Sequence, residues 1–146
     1  TAGFGQWYFG MRIRLEVDKG HETVATDIDA LRAAIVAAHA ATALSVSGEE
    51  VGDAGAEAVG AGLGRCQALT EVRLNFDSTQ VGDQGAEGLG AGIGRCRALA
   101  QLELYLNRTQ VGDQGAAAVG AGLGRCQTLT EVELFLTCTQ VGDQGA

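Results

Sequence analysis

The eight residues TQVGDQGA at positions 79–86 recur letter for letter at 109–116 and 139–146, and a looser copy, EEVGDAGA, stands at 49–56. Other positions follow the same spacing, because Cys66, Cys96 and Cys126 are each 30 residues apart. A fixed period of about 20 to 50 residues is typical of repeat proteins. Since a unit of this length cannot bury its apolar face alone, the units are predicted to stack on one another.

Within one unit the hydrophobic period changes. The segment LTEVRLNF spans residues 69–76. In it, apolar Val72, Leu74 and Phe76 alternate with polar residues, and this alternation predicts a strand with one buried face. The repeated string then predicts a turn at Gly82 and a helix capped at its N-terminus by Asp83. A helical spacing of apolar residues follows, at Ala86, Leu89, Ile93 and Cys96. Each unit is therefore predicted to contain a strand, a turn, a helix and a loop.

This pattern resembles that of the leucine-rich repeat family, most closely its ribonuclease-inhibitor-like subclass in a 30-residue variant of the type found in protists. The residues that carry the resemblance are Leu69, Val72, Leu74, Phe76, Thr79, Val81, Gly85, Leu89, Ile93 and Cys96. It covers about residues 40–146. The resemblance implies an α/β solenoid, with a curved parallel β-sheet on the concave side and helices on the convex side.

Two features depart from the family pattern. The strand motif is extended by two residues, and the family's ladder of Asn is replaced by Thr79, Thr109 and Thr139. A Thr hydroxyl can bond the backbone of the turn, so we expect the ladder to persist in a weaker form. The helices are also rich in Gly, which costs about 1 kcal/mol per residue relative to Ala. We expect the missing side chains to let neighbouring helices approach closely.

The first 26 residues are predicted to form an N-terminal aromatic cap and a first strand, and residues 27–146 the repeats, the last of them incomplete. Ile13, Leu15 and Val17 define the strand, which we expect to join the parallel sheet. A helix is predicted through Ile28, Leu31, Ile35 and His39. The N-terminal aromatic residues either cover the open end of the stack or anchor a partner; they are Phe4, Trp7, Tyr8 and Phe9. We expect the sequence to be part of a longer or processed polypeptide.

Composition excludes several classes of function. The formal net charge of −8 argues against binding nucleic acid or an anionic membrane surface. No apolar run reaches the roughly 20 residues of a membrane span. The compartment stays unknown; unpaired cysteines favour a reducing intracellular one, and import into an organelle is compatible with the sequence.

Sequence motifs that would indicate catalysis, metal binding or phosphate binding are weak. The cysteines lack metal-site spacing; Cys66, Cys96 and Cys126 are predicted to be buried free thiols, and Cys138 to lie exposed at the edge between strand and turn. His39 is predicted to be half-buried, with nothing to orient it as a partner for Cys66. A calcium loop at Asp77 has Val81 and Gly88 where ligands are needed, and the GAGLG segments do not follow a strand as a phosphate loop would. We therefore predict no enzyme activity, no catalytic residue, no metal and no cofactor.

The exposed sheet face carries the residues that vary between copies. Outward positions are predicted to align in columns, the first of them Arg12, Ala41, Glu71, Gln101 and Glu131. The acidic and aromatic residues of this face predict that it binds a basic or amphipathic partner protein. The predicted contact residues, which also include one Arg and one Asn, are Glu71, Arg73, Asn75, Glu103, Tyr105, Glu131, Glu133 and Phe135. This predicts a non-enzymatic protein-interaction module or scaffold. The alternative is a structural or accessory subunit of a large assembly, membrane-bound or organellar.

Overall fold

A computed structural model describes residues 12–137 and 139–142 of the chain. Its strands are β1 (Arg12–Val17), β2 (His21–Ala25), β3 (Ala43–Glu49), β4 (Glu71–Asn75), β5 (Gln101–Tyr105) and β6 (Glu131–Phe135). Its helices are α1 (Ile28–Ala37), α2 (Asp53–Leu63), α3 (Asp83–Ile93) and α4 (Asp113–Arg125). The fold is a mixed α/β structure with these strands in one sheet.

The sheet has the strand order β2-β1-β3-β4-β5-β6. Strands β3 to β6 run parallel, whereas β1 is antiparallel to both β2 and β3. The expectation that β1 continues a parallel sheet was therefore wrong. The turn after β1 contains Asp18 and Lys19 in left-handed conformations, with φ of 50° and 61°, so the chain reverses at once into β2. Strand β2 was not predicted.

The three units from β4 onward repeat in exact register. Val72 pairs with Leu102 and Leu102 with Val132, and Leu74, Leu104 and Leu134 form the next row. In β4 and β5 these residues are buried, whereas the alternate residues are exposed or half-buried. They share one core with helix residues such as Leu89 and Ile93. The predicted alternation of buried and outward residues is confirmed in these strands.

Glycine lets the helices touch backbone to backbone, as predicted. A Cβ atom added at Gly92 of α3 would collide with the carbonyl oxygen of Gly60 in α2. One added at Gly122 of α4 would collide with the carbonyl oxygen of Gly90 in α3. Neighbouring units are thus closer than side chains would allow, and this packing offsets the poor helix propensity of Gly.

Helices α3 and α4 are each capped by an Asp of the preceding unit, and the prediction that Asp83 caps its own helix was wrong. The N-cap residues are Gly52, Gly82 and Gly112, without a side-chain cap bond. The N–H groups of Gly112 and Gly115 instead donate to Oδ1 of Asp83, at 2.7 and 2.9 Å. Because α3 lies beside α4, the carboxylate at its first turn reaches the next helix start and satisfies two of its unpaired N–H groups.

The turns between strand and helix differ from the prediction at Gly82. Its φ of −117° needs no glycine. The left-handed residues of these turns are Glu50, Ser78 and Arg108, with φ of 53°, 59° and 55°. The buried threonines bond within their own unit: Thr79 Oγ1 donates to the Phe76 carbonyl at 2.7 Å, and Thr109 Oγ1 to the Leu106 carbonyl at 2.8 Å. These hydroxyls stabilise the turn, as predicted, and do not bridge units.

Candidate functional site

All eight predicted contact residues lie on one face of the sheet, formed by β4, β5 and β6. The register places them in three rows: Glu71, Gln101 and Glu131; Arg73, Glu103 and Glu133; Asn75, Tyr105 and Phe135. We call these nine residues the outward face. Since the buried strand residues pack with the helices, the outward face is turned away from them.

An aromatic pair occupies the third row. The rings of Tyr105 and Phe135 stack with centroids 4.7 Å apart and an interplanar angle of 10°. The guanidinium carbon of Arg73 lies 5.8 Å from the centre of the Tyr105 ring, within cation–π range. The Arg73 side chain on β4, the Tyr105 ring on β5 and the Phe135 ring on β6 therefore contact one another in succession.

Glu103 contacts both the charged residue Arg73 in its own row and the aromatic residue Tyr105 in the next row. Its Oε1 accepts a hydrogen bond from the Tyr105 hydroxyl at 2.8 Å, and its Oε2 lies 3.7 Å from Nε of Arg73. The hydrogen bond to Glu103 raises the pKa of Tyr105. A hydrogen bond with Tyr105 and the charge of Glu103 raise the pKa of Arg73. Neutral Tyr105 and charged Arg73 are thus the forms present at neutral pH.

Negative charge increases toward β6. Glu71 forms an ion pair with Lys19 at 3.4 Å, and Glu103 forms one with Arg73. Glu131 accepts only a long hydrogen bond from Gln101, at 3.5 Å. Among the residues that the structure describes, Glu133 joins no ion pair or side-chain hydrogen bond. The carboxylates that remain for a partner are those of Glu131 and Glu133.

The N-terminal part of the face differs from the predicted columns. Ala43, not Ala41, pairs with Glu71, and Ser45 pairs with Arg73. Ala41 lies before β3 and is buried. The predicted columns were shifted because β3 and β4 are 28 residues apart instead of 30. Arg12 pairs with Glu49 at the opposite end of β3, since β1 is antiparallel.

The small residues of β3 leave a hollow that sequence reasoning missed. It has a volume of about 390 Å³ and is lined by Glu16, Lys19, Ala43, Leu44, Ser45, Glu71, Arg73 and Glu103. The sequence signal that could have predicted this hollow was the small size of Ala43 and Ser45 beside the long side chain of Arg73. Lys19 could not be placed without the β1–β2 hairpin.

Cys66, Cys96 and Cys126, which we call the cysteine ladder, are buried, as predicted, and their thiols have backbone carbonyl partners. Cys96 Sγ lies 3.5 Å from the carbonyl oxygens of Leu63 and Gly92. Burial, with Cys126 and Cys66 nearby, raises the pKa of Cys96 to about 12, and burial raises the pKa of Cys66 and Cys126. These thiols stay protonated at neutral pH, which makes them poor nucleophiles.

His39 is exposed, so the prediction of a half-buried residue was wrong. Helix α1 ends at Ala37, before His39, and the His39 Nδ1 lies 3.1 Å from the Val36 carbonyl oxygen. The buried residue equivalent to Leu69 is Ala41. His39 therefore does not share the buried environment of Cys66, Cys96 and Cys126.

Several predicted features lie outside the described residues. They are the aromatic residues Phe4, Trp7, Tyr8 and Phe9, together with Cys138. Within residues 12–137 and 139–142, no helix is both long and apolar enough to cross a membrane. In the same ranges, no three His, Cys, Asp or Glu side chains cluster as metal ligands would.

No model of a protein family matches the sequence, and no curated protein is similar to it at a significant level.

Proposed function

We propose that the chain is a non-enzymatic protein-interaction module that contacts its partner through the outward face. The observation that carries this proposal is the stacked pair of Tyr105 and Phe135, surrounded by charged residues on an otherwise polar sheet face. Aromatic residues and Arg are enriched among the residues that dominate binding energy at protein interfaces. A pair held rigid by stacking loses little conformational freedom on binding.

The finer fold assignment belongs to this proposal: a leucine-rich-repeat solenoid whose concave side is the outward face. The parallel strands β3 to β6 and the backbone packing between α2, α3 and α4 support it. So do the hydrogen bonds from Gly82 and Gly112 to the aspartates of the preceding units. Repeat proteins use the face of stacked units as an extended binding surface.

The partner is a protein with a basic or amphipathic surface. Glu131 and Glu133 supply negative charge, and neither forms an ion pair with a basic residue of the described chain. A partner that places cations there gains electrostatic complementarity, and its apolar residues can cover the rings. The net charge of −8 favours a protein over nucleic acid as the partner.

A non-catalytic role is supported by the burial and the protonation state of the cysteine thiols. Cys66, Cys96 and Cys126 are buried, and their raised pKa values keep them protonated. Unpaired thiols in the core also favour a reducing compartment.

The alternative is a structural subunit of a large assembly. The acidic composition, with a formal net charge of −8, also suits such a role. Such a subunit would meet its neighbours through the end of the sheet and not through the outward face.

Site-specific photo-cross-linking distinguishes these roles. We would place p-benzoylphenylalanine at position 103 or 135 of the outward face and, as matched controls, at the exposed helix positions 84 and 117. After irradiation in a lysate of the source cells, cross-linked proteins are identified by mass spectrometry. We expect one protein to be captured from 103 and 135 but not from 84 or 117. Capture from the helix positions alone, or from none, would contradict the proposal.

A further inference from the structure

Exposed arginines collect where the helices lead into the loops before the strands. We call these residues the arginine edge; they are Arg65, Arg95, Arg97 and Arg125. Three of them occupy one position in successive units, 30 residues apart, and Arg97 adds a second cation to the middle unit. The segments 64–70, 94–100 and 124–130 contain no Asp or Glu, although the chain has 18 acidic and 10 basic residues. Positive charge is thus concentrated at one end of the helices of an acidic chain.

The guanidinium groups of the arginine edge are unpaired within residues 12–137 and 139–142. They form no ion pair and no side-chain hydrogen bond there. The exposed Glu57 and Glu87 of α2 and α3, each eight residues before an arginine of the edge, do not pair with them either. Residues 1–11 contain no acidic side chain. These cations are therefore open to an anionic ligand.

The helix ends do not occupy these cations. Basic residues often bond the carbonyl groups left unpaired at a helix C-terminus. Here the Gly64 carbonyl accepts a hydrogen bond from Gln67 Nε2 at 2.7 Å, and Cys96 Sγ lies 3.5 Å from the Leu63 carbonyl oxygen. The next unit repeats the thiol contact. Because an amide and thiols satisfy these carbonyls, helix capping does not explain the arginines.

The arginine side chains lie across the glycines of the preceding units. A Cβ atom added at Gly64 would lie 3.0 Å from Cδ of Arg95, and one added at Gly94 would lie 3.1 Å from Cδ of Arg125. Between these units is a hollow of about 570 Å³, lined by Gly64, Gln67, Gly94, Arg95 and Arg97. Absent glycine side chains therefore leave room for a ligand's carboxylate beside two guanidinium groups.

The spacing of the units suits an extended chain. Packed helices are about 8–10 Å apart, and the backbone contacts at Gly60 and Gly92 place α2 and α3 at the short end of this range. Alternate residues of an extended chain lie on one side and are about 6.8 Å apart. The long arginine side chains can cover the small difference. A guanidinium group binds a carboxylate through two parallel hydrogen bonds, which favours carboxylate ligands.

We propose that the arginine edge binds an extended acidic segment of a partner protein, with Glu or Asp at alternate positions and one carboxylate for each unit. The middle carboxylate enters the hollow between Arg95 and Arg97, where two cations meet it. This surface is separate from the outward face and takes a partner of opposite charge. The chain can therefore hold a basic surface at its strands and an acidic segment at its helix ends.

The probe is the synthetic peptide GESESESG, whose glutamates stand at alternate positions. The control peptide GSEEESSG has the same composition and charge, with its glutamates adjacent. Both are titrated at low salt into the isotope-labelled 146-residue chain and followed by NMR. The test variant is Arg95→Gln/Arg97→Gln. Its matched control, Arg12→Gln/Arg32→Gln, removes the same charge from exposed positions elsewhere, and circular dichroism checks that both variants are folded.

We expect the alternating peptide to bind with a Kd about three-fold or more below that of the control peptide, because only alternate side chains share one side. Arg95→Gln/Arg97→Gln should raise this Kd about five-fold or more, and the matched variant by less than about two-fold. Salt should weaken binding, since the groups are exposed. Amide shifts should concentrate at 64–67 and 94–97 and not in β4 to β6.

No saturable binding at millimolar concentration, equal affinity of the two peptides, or equal weakening in the two variants would overturn the proposal. Tighter binding of a single-stranded oligonucleotide of the same charge would assign the edge to nucleic acid instead. Self-association that Arg95→Gln/Arg97→Gln abolishes would assign it to a second copy, and either result contradicts the proposal. Tyr105→Ala/Phe135→Ala should bind the peptide as the native chain does, so this test and the cross-linking from positions 103 and 135 fail independently.

Discussion

Asp53 caps a helix to which it does not belong: its Oδ1 accepts hydrogen bonds from the N–H groups of Gly82 and Gly85, at 2.7 and 2.9 Å, at the start of α3. Asp83 makes the same bonds to Gly112 and Gly115. A Cβ atom at Gly85 would lie 2.8 Å from this carboxylate oxygen. The repeated letters G, D and G of the string are thus parts of one contact between units.

Replacing Asp83 should destabilise the following helix and not its own. We expect Asp83→Ala to lower the free energy of unfolding by about 0.5–2 kcal/mol, the usual cost of losing a cap. The control Gln84→Ala changes an exposed neighbour and should stay within about 0.5 kcal/mol. Hydrogen exchange assigns the effect: amides at 112–116 should exchange faster. Faster exchange at the start of α3, with α4 unchanged, would mean that the cap is local after all.

Two glycines in equivalent helices should respond to alanine with opposite signs. In Gly92→Ala the new Cβ meets the Gly60 carbonyl, so we expect a loss of about 1–3 kcal/mol from overpacking despite better helix propensity. In Gly120→Ala nothing lies within 4 Å, and propensity alone should add up to about 1 kcal/mol. Urea denaturation measures both. Similar stabilisation by both substitutions would disprove the close helix contact.

Neighbouring residues of β5 should differ sharply in their effect on stability. Leu104 is fully buried, and Leu104→Ala should cost about 2–5 kcal/mol. Tyr105→Ala removes a half-buried ring from the outward face and should cost no more than about 1 kcal/mol. Equal losses in urea denaturation would mean that the inward and outward assignments are incorrect.

The cysteine ladder should make stability fall at alkaline pH. An unfolded thiol loses its proton near pH 8.5, whereas burial raises the pKa of folded Cys96 to about 12. Between these values the unfolded chain binds fewer protons, so the free energy of unfolding decreases as pH rises, by at most about 1.4 kcal/mol per pH unit from this group. Below about pH 8 the group has no effect. Unfolding of the native chain and of Cys96→Ala is compared at pH 8, 9 and 10.

The native chain should lose stability more steeply than Cys96→Ala over this range. Parallel slopes would show that the Cys96 thiol ionises in the folded state. As a check, Cys66, Cys96 and Cys126 should resist a thiol reagent at pH 7 and react after unfolding. Rapid labelling of the folded chain would contradict their burial.

Much of the fold followed from local patterns in the sequence. The alternation in LTEVRLNF identified the buried side of β4, and the 30-residue period transferred it to β5 and β6. This period also aligned Arg73 with Glu103 and Tyr105 with Phe135. Because the repeats are nearly identical, one assignment decided the others.

The remainder depended on contacts that no local pattern contains. Alternation in β1 says which residues are buried but not which way the strand runs, so its antiparallel pairing went unpredicted. Strand β2 is mostly exposed on both faces and has no alternating pattern. An Asp at a helix start suggests a cap for that helix, and only the distance between α2 and α3 reveals that it serves its neighbour.

The central claim, that the outward face binds a partner protein through its aromatic pair, is tested most directly by an affinity measurement. The protein cross-linked from position 135 is titrated against the native chain, the Tyr105→Ala/Phe135→Ala variant and the helix-face control Gln84→Ala. The account predicts that Kd rises about ten-fold or more in the double variant, with its circular dichroism unchanged, and stays within about two-fold in the control. Unchanged affinity of a folded double variant would contradict it.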